Sequence, residues 1–286
     1  MTVAQQRIGR IQWGDLTFGP GSRYHVTAID GLDDLPNIRS EDTERPGQNG
    51  DYTGPDYTGP RTIQLGLGLR ADSPDELRDL VIALRAATQP QRQPAAVQLL
   101  DQDTLVYGKI RRRNIPYDAE YLWSTGTAAL EWYCADPYLY GLTEYSASTT
   151  AYSPAAGRTY PMVYPRAYGA AGQSGRISAF NGGASPAYPL LRLDGPVANP
   201  SIEQVNTGSG LTIDASLGEG EWLIIDTRTR AVLLNGSSPR RSWVRAGAQW
   251  PLLQPGANEI AYRGSALPGS PGQPSLLTLT WRDTSL

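Results

Sequence analysis

From Thr62 to Leu69 the chain runs Thr62-Ile63-Gln64-Leu65-Gly66-Leu67-Gly68-Leu69, with an apolar side chain at every second position. That period places all four apolar groups on one face of a strand and small or polar groups on the other. Val97–Leu100, Thr104–Ile110, Thr127–Tyr133, Pro189–Leu193, Leu211–Ala215 and Leu276–Trp281 read as further strands. Glu221–Asp226 and Ala231–Asn235 flank the polar tetrapeptide Thr227-Arg228-Thr229-Arg230, a hairpin signal. One segment follows the helical period instead: Leu77, Leu80, Val81 and Leu84 fall at i, i+3, i+4 and i+7. Ser73 stands before them as N-cap, with Pro74 at the first helical position and Glu76 three residues after the cap. Gln89-Pro90 stops it, so a helix over about 73–87 is predicted to pack across a sheet.

Composition sharpens this picture. The chain has 286 residues, with 31 glycines and 23 prolines, a frequency that breaks long helices and favours short strands between turns. Its length suits two medium domains. Residues 146–175 are rich in Ser, Ala, Gly, Tyr and Pro and nearly free of charge, the composition of a strap or linker, so a boundary is placed near Tyr145. The predicted architecture is mainly β, with domains at 1–145 and 146–286. A second irregular stretch, 39–61, holds the tandem repeat Asp51-Tyr52-Thr53-Gly54-Pro55 and Asp56-Tyr57-Thr58-Gly59-Pro60. It is long for a connection inside a compact domain, and its tyrosines suit an interface; a solvated loop is the plainer reading.

Candidate chemistry is sparse. No run of about 18 apolar residues exists, which argues against a membrane-spanning helix. Met1 to Arg10 lack an apolar stretch after a basic start, so no secretory signal is read there. Cys134 is the single cysteine and His25 the single histidine, so an internal disulfide and a multi-histidine metal cage are both excluded. Cys134 ends an apolar strand and reads as a small core residue, and His25 as a strand residue. The acid pairs Asp33-Asp34, Glu41-Asp42 and Asp101/Asp103 lack calcium-loop spacing and sit in turn-like contexts. Gly66 and Gly68 lie inside a strand, where a dinucleotide fingerprint cannot form. The Arg111-Arg112-Arg113 run alternates faces, which suits salt bridging at a rim better than a phosphate track. No catalytic constellation and no cofactor site emerge, and a hydrolase reading finds no support.

Two segments carry a resemblance. Ala135-Asp136-Pro137-Tyr138-Leu139-Tyr140-Gly141, directly after a long strand, resembles the element that closes the N-terminal domain of siphophage distal tail proteins. In the second half, Tyr160-Pro161-Met162-Val163-Tyr164-Pro165-Arg166 is similar to their aromatic-proline strap. Asn181-Gly182-Gly183, Gly195-Pro196, Asn199-Pro200-Ser201-Ile202, Ile225-Asp226-Thr227-Arg228, Leu234-Asn235-Gly236, Leu253–Ile260 and Thr280-Trp281-Arg282-Asp283 follow in the family's order. The resemblance implies an N-terminal split β-barrel or sandwich with one helix, and a C-terminal galectin-like β-sandwich. It implies no enzyme, but a structural component of the virion made in the host cytoplasm. That component is a hexameric ring between the tail tube above and a tail hub or tail-associated protein below, with viral DNA passing through unbound. On this reading Tyr52, Tyr57, Arg61, Arg111 and Arg113 are the candidate subunit-interface residues. The alternative is a carbohydrate-binding module that stacks cell-wall sugar on Trp243 and Trp250.

Overall fold

The computed structural model describes residues 9–117, 124–153, 172–267 and 274–286. They divide into two units, Met1–Leu142 with Leu286, and Thr143–Ser285, each with its own apolar core. Strands dominate both, and Pro74–Ala87 is the single α-helix among the described residues.

In the first unit the predicted alternation becomes the strand Arg61–Arg70, with Ile63, Leu65, Leu67 and Leu69 buried. It pairs antiparallel with Thr125–Cys134 on one side and Tyr24–Asp30 on the other. Beyond Thr125–Cys134 come Thr104–Asn114, Ala95–Leu99, Ile11–Trp13 and Leu16–Phe18, in that order. The helix buries Leu77, Val81 and Leu84 against the same core. The Ser73 hydroxyl accepts from the Glu76 N–H at 3.2 Å, and the Glu76 carboxylate accepts from the Asp72 N–H at 2.7 Å. Two of the helix's last carbonyls are taken up from outside: Trp13 Nε1 donates to Ala87 O at 3.1 Å and Arg113 Nη1 to Arg85 O at 2.9 Å.

The second unit stacks two antiparallel sheets. One runs Tyr145–Thr150, Leu276–Trp281, Leu190–Asp194, Trp222–Asp226, Ala231–Leu234 and Ser238–Pro239; the other is ordered Arg176–Asn181, Gly256–Ser265, Val197–Gln204 and Ser209–Thr212. Leu191, Leu193, Leu223, Ile225, Leu277 and Leu279 from the first meet Ile177, Ile202, Ile260 and Tyr262 from the second in a single core.

Three expectations need correction. Residues 145–150, expected in part as a strap, form a strand that pairs along its length with Leu276–Trp281; small Ser, Ala and Thr side chains fit a pleated ladder as readily as a linker. The rest of that stretch, including Tyr160–Arg166, lies outside the described residues from 154 to 171. The 39–61 excursion, expected to be irregular, is a two-stranded ribbon. The three arginines do not simply alternate, because the ladder to Thr125–Cys134 shifts register between Ile110 and Arg112.

Candidate assembly surface

The ribbon is built from two short ladders in series. Ile38–Ser40 pairs with Asp56–Thr58, and Thr43–Glu44 pairs with Asp51–Tyr52. The sequence repeat supplies the returning side: each copy gives a Tyr-bearing strand followed by Gly-Pro, where proline ends the pairing. The glycines face the opposite strand at close range. The Gly59 N–H donates to Asn37 O at 2.7 Å, and the Gly54 N–H to Asp42 Oδ1 at 2.7 Å. A Cβ at Gly54 would collide with the Glu41 carbonyl oxygen, which explains why the repeat keeps glycine there. Across the ribbon, Arg39 lies over the Tyr57 ring at 5.6 Å and Arg45 over the Tyr52 ring at 4.9 Å.

No residue from Asn37 to Pro60 is buried, and Tyr52 and Tyr57 are 60% and 46% exposed. The Asp42 carboxyl is held below the usual aspartate range, first by its hydrogen bond with Ser40 and then by the Gly54 N–H.

At the root of the ribbon stands Arg61, 2% exposed. Its Nε donates to Pro137 O at 2.9 Å; its Nη1 donates to Gly31 O at 3.2 Å, to Asp34 O at 2.9 Å and to Leu32 O. The guanidinium thus ties the segment entering the arm to the one that closes the unit after Cys134. Burial lowers its pKa, while the neighbouring Cys134, Asp33 and Asp34 raise it. The structure buries Arg61, one of the five candidate interface residues, inside its own chain, because its position shares the inward parity of Ile63 and Leu65. The carbonyls replace the water it loses.

Arg111 and Arg113 are exposed but engaged. Arg111 lies over the Tyr133 ring at 4.6 Å, and Arg113 Nη1 donates to Arg85 O and to Thr88 Oγ1, both at 2.9 Å. Neither contact is the rim salt bridge expected of this run. Only Tyr52 and Tyr57 of the five candidates stand together on the arm.

Trp243 and Trp250 are half-buried beside the second core, with Arg240 over one indole at 5.3 Å and Arg241 over the other at 4.6 Å. Each indole thus has one guanidinium over its ring. Burial pushes the Cys134 thiol up to about 11, as suits a packed side chain. Among the described residues no group of three or more His, Cys, Asp or Glu side chains could hold a metal ion.

A family model described as the C-terminal domain of a siphovirus-type tail component matches residues 182–276. Over 92% of this chain and 94% of the other, the fold matches the crystal structure of Dit from phage SPP1, at TM-score 0.63 and 13% identity. That protein is described as a paradigm of the hub adsorption apparatus in phages infecting Gram-positive hosts. The phage P2 baseplate in its activated conformation is also similar, with calcium (TM-score 0.49) and with strontium (0.48), each at 9% identity over 95% of this chain and 96% of that one. No curated protein matches the sequence. Residues 182–276 are thus similar in sequence to a siphovirus-type tail component, and most of the chain is similar in fold to Dit.

Proposed function

We propose that copies of this chain close into a ring, a hexamer, forming the hub between the tail tube and the tail tip of a long-tailed phage. The observation that carries this reading is the arm: over 20 residues of ordered ribbon, anchored by a buried arginine, with neither face covered by its own unit. An isolated two-stranded hairpin is at best marginally stable in water, so a ribbon of this length is best accounted for by a surface it lies against. A head-to-tail contact between identical subunits gives a ring when its rotation closes, so one arm per copy can build the ring proposed here. The first unit lines the channel, the tail tube protein stacks above and a tail hub or tail-associated protein below, and DNA passes without specific contacts. The protein is made in the host cytoplasm and incorporated into the virion without performing catalysis.

Negative-stain images and native mass of the purified full chain test this. A six-copy annulus is expected; a monomer at high concentration, together with absence of the chain from isolated tails, would overturn it.

A further inference from the structure

The chain carries three Asn-Gly dipeptides, Asn49-Gly50, Asn181-Gly182 and Asn235-Gly236. In such a pair the glycine nitrogen can close a five-membered ring on the asparagine side-chain amide, because glycine has no side chain to obstruct the approach. Whether it does so depends on what holds the two groups, and the fold treats the three pairs differently.

Asn181 is 1% exposed, and both polar atoms of its side chain are engaged. Its Nδ2 donates to Ser185 O at 2.8 Å and to Leu253 O at 3.1 Å, and its Oδ1 accepts from the Gly183 and Thr284 N–H groups. The attacking nitrogen is tied down as well, since the Gly182 N–H donates to Asp283 Oδ1 at 2.7 Å. Asn235 is exposed but clamped on Trp222: its N–H donates to Trp222 O at 2.8 Å, and its Oδ1 accepts from the Trp222 N–H at 3.1 Å. Gly236 lies against the same indole, where an added Cβ would stand 2.7 Å from Cη2.

Asn49 and Gly50 have neither restraint. They sit in the tip of the arm, beyond the last ladder pair Glu44 and Asp51, and both are exposed. The tip is closed by the Arg45 N–H donating to Gly50 O and the Gln48 N–H to Arg45 O, each at a long 3.3 Å. Among the described residues no hydrogen bond engages the Asn49 side chain or the Gly50 N–H, and a Cβ on Gly50 would meet nothing within 4 Å.

We propose that Asn49 is a self-modifying site, the Asn-Gly pair that the folded chain leaves open to conversion. The Gly50 nitrogen gives up its proton to solvent base and attacks Asn49 Cγ; the N–Cγ bond forms, the Cγ–Nδ2 bond breaks, and the side-chain nitrogen leaves as ammonia. Water then opens the resulting succinimide. Attack at Cγ leaves aspartate, and attack at the backbone carbonyl leaves isoaspartate, whose main chain runs through Cβ and Cγ. The net change is ammonia lost and water gained, with nothing oxidised or reduced. Both products add a carboxylate to a tip that already carries Glu44 and Asp51, so the arm of an aged chain differs in charge from that of a fresh one.

The test incubates the purified full chain at mildly alkaline pH and follows each pair by peptide mapping, with isoaspartate scored by enzymatic methylation. Asn49 is expected to gain one mass unit at close to the rate it shows in the urea-unfolded chain. Asn235 follows more slowly, and Asn181 trails by roughly a hundredfold or more, because its reaction waits on local opening of the packed strand end. In urea the three rates converge, which shows that the order comes from the fold. Asn49→Gln removes the early gain, since its longer side chain would need a six-membered ring. Conversion of Asn49 no faster than that of Asn181 or Asn235, or an order that persists in urea, would overturn the proposal. Native mass of the same samples reads ring formation separately, so a failed hub reading and a failed modification site are told apart.

Discussion

Two hairpins of this molecule are built on opposite terms. In the Trp222–Asp226 and Ala231–Leu234 pair, Leu223, Ile225 and Val232 point into the sandwich and are almost wholly buried. In the arm, two ladders in series bury nothing on either face and are held by strand hydrogen bonds, two arginine–tyrosine contacts and Arg61 at the root. The first hairpin contributes to folding its own unit. The second buries no apolar side chain and exposes aromatic surface, the feature that the proposed contact with a neighbouring copy uses.

Substitutions should separate the two. Ile225→Ala leaves a cavity in a closed core and is expected to cost about 3 kcal/mol in urea denaturation. Arg61→Ala comes next, at about 2–3 kcal/mol, because it removes the shared donor of the carbonyls of residues 31, 32, 34 and 137 and leaves that of buried Leu32 unpaired. Arg61→Lys should rescue little of that, since an ammonium group cannot span the same fork. Tyr57→Ala should move stability by under about 1 kcal/mol while sharply reducing native oligomer mass. An equal loss of stability for Tyr57→Ala and Ile225→Ala would erase the distinction.

The smallest effect is a titration. Because the folded Asp42 carboxyl lies below its unfolded value, its contribution is fully present above the unfolded pKa and is lost as pH falls through the folded one. The Gly54 amide shift should therefore titrate with a midpoint below that of aspartate in an unfolded peptide, and the arm should be unaffected at neutral pH. A midpoint at or above the unfolded value would mean that the Asp42–Gly54 hydrogen bond is not maintained in solution.

What the sequence discloses follows the same division. Strands with one buried face, such as Arg61–Arg70 and Leu276–Trp281, announce themselves by alternation, and the helix by its cap and stripe. The arm has no buried face, so hydrophobic period carries no trace of its pairing; the five-residue repeat is the available sign. Gly256–Ser265 and Val197–Gln204 are interior strands that alternation does not reveal, because glycine, proline and polar residues interrupt their apolar sides. The charge of Arg61 suggests a surface position, yet its parity with Ile63, Leu65 and Leu67 already points inward. Trp243 and Trp250 cannot be read as covered, since the arginines over them precede them by three and nine residues in an irregular segment.

The arm's role is tested most directly by excising it cleanly. Asn37 and Gly59 are hydrogen-bonded across the ribbon at 2.7 Å, so replacing residues 38–58 with a short Gly-Ser linker bridges the two ends and spares the contacts of Arg61. Native mass of this shortened chain should fall from ring to monomer while its denaturation midpoint stays close to that of the full chain. Rings of unchanged copy number after the excision would contradict the account.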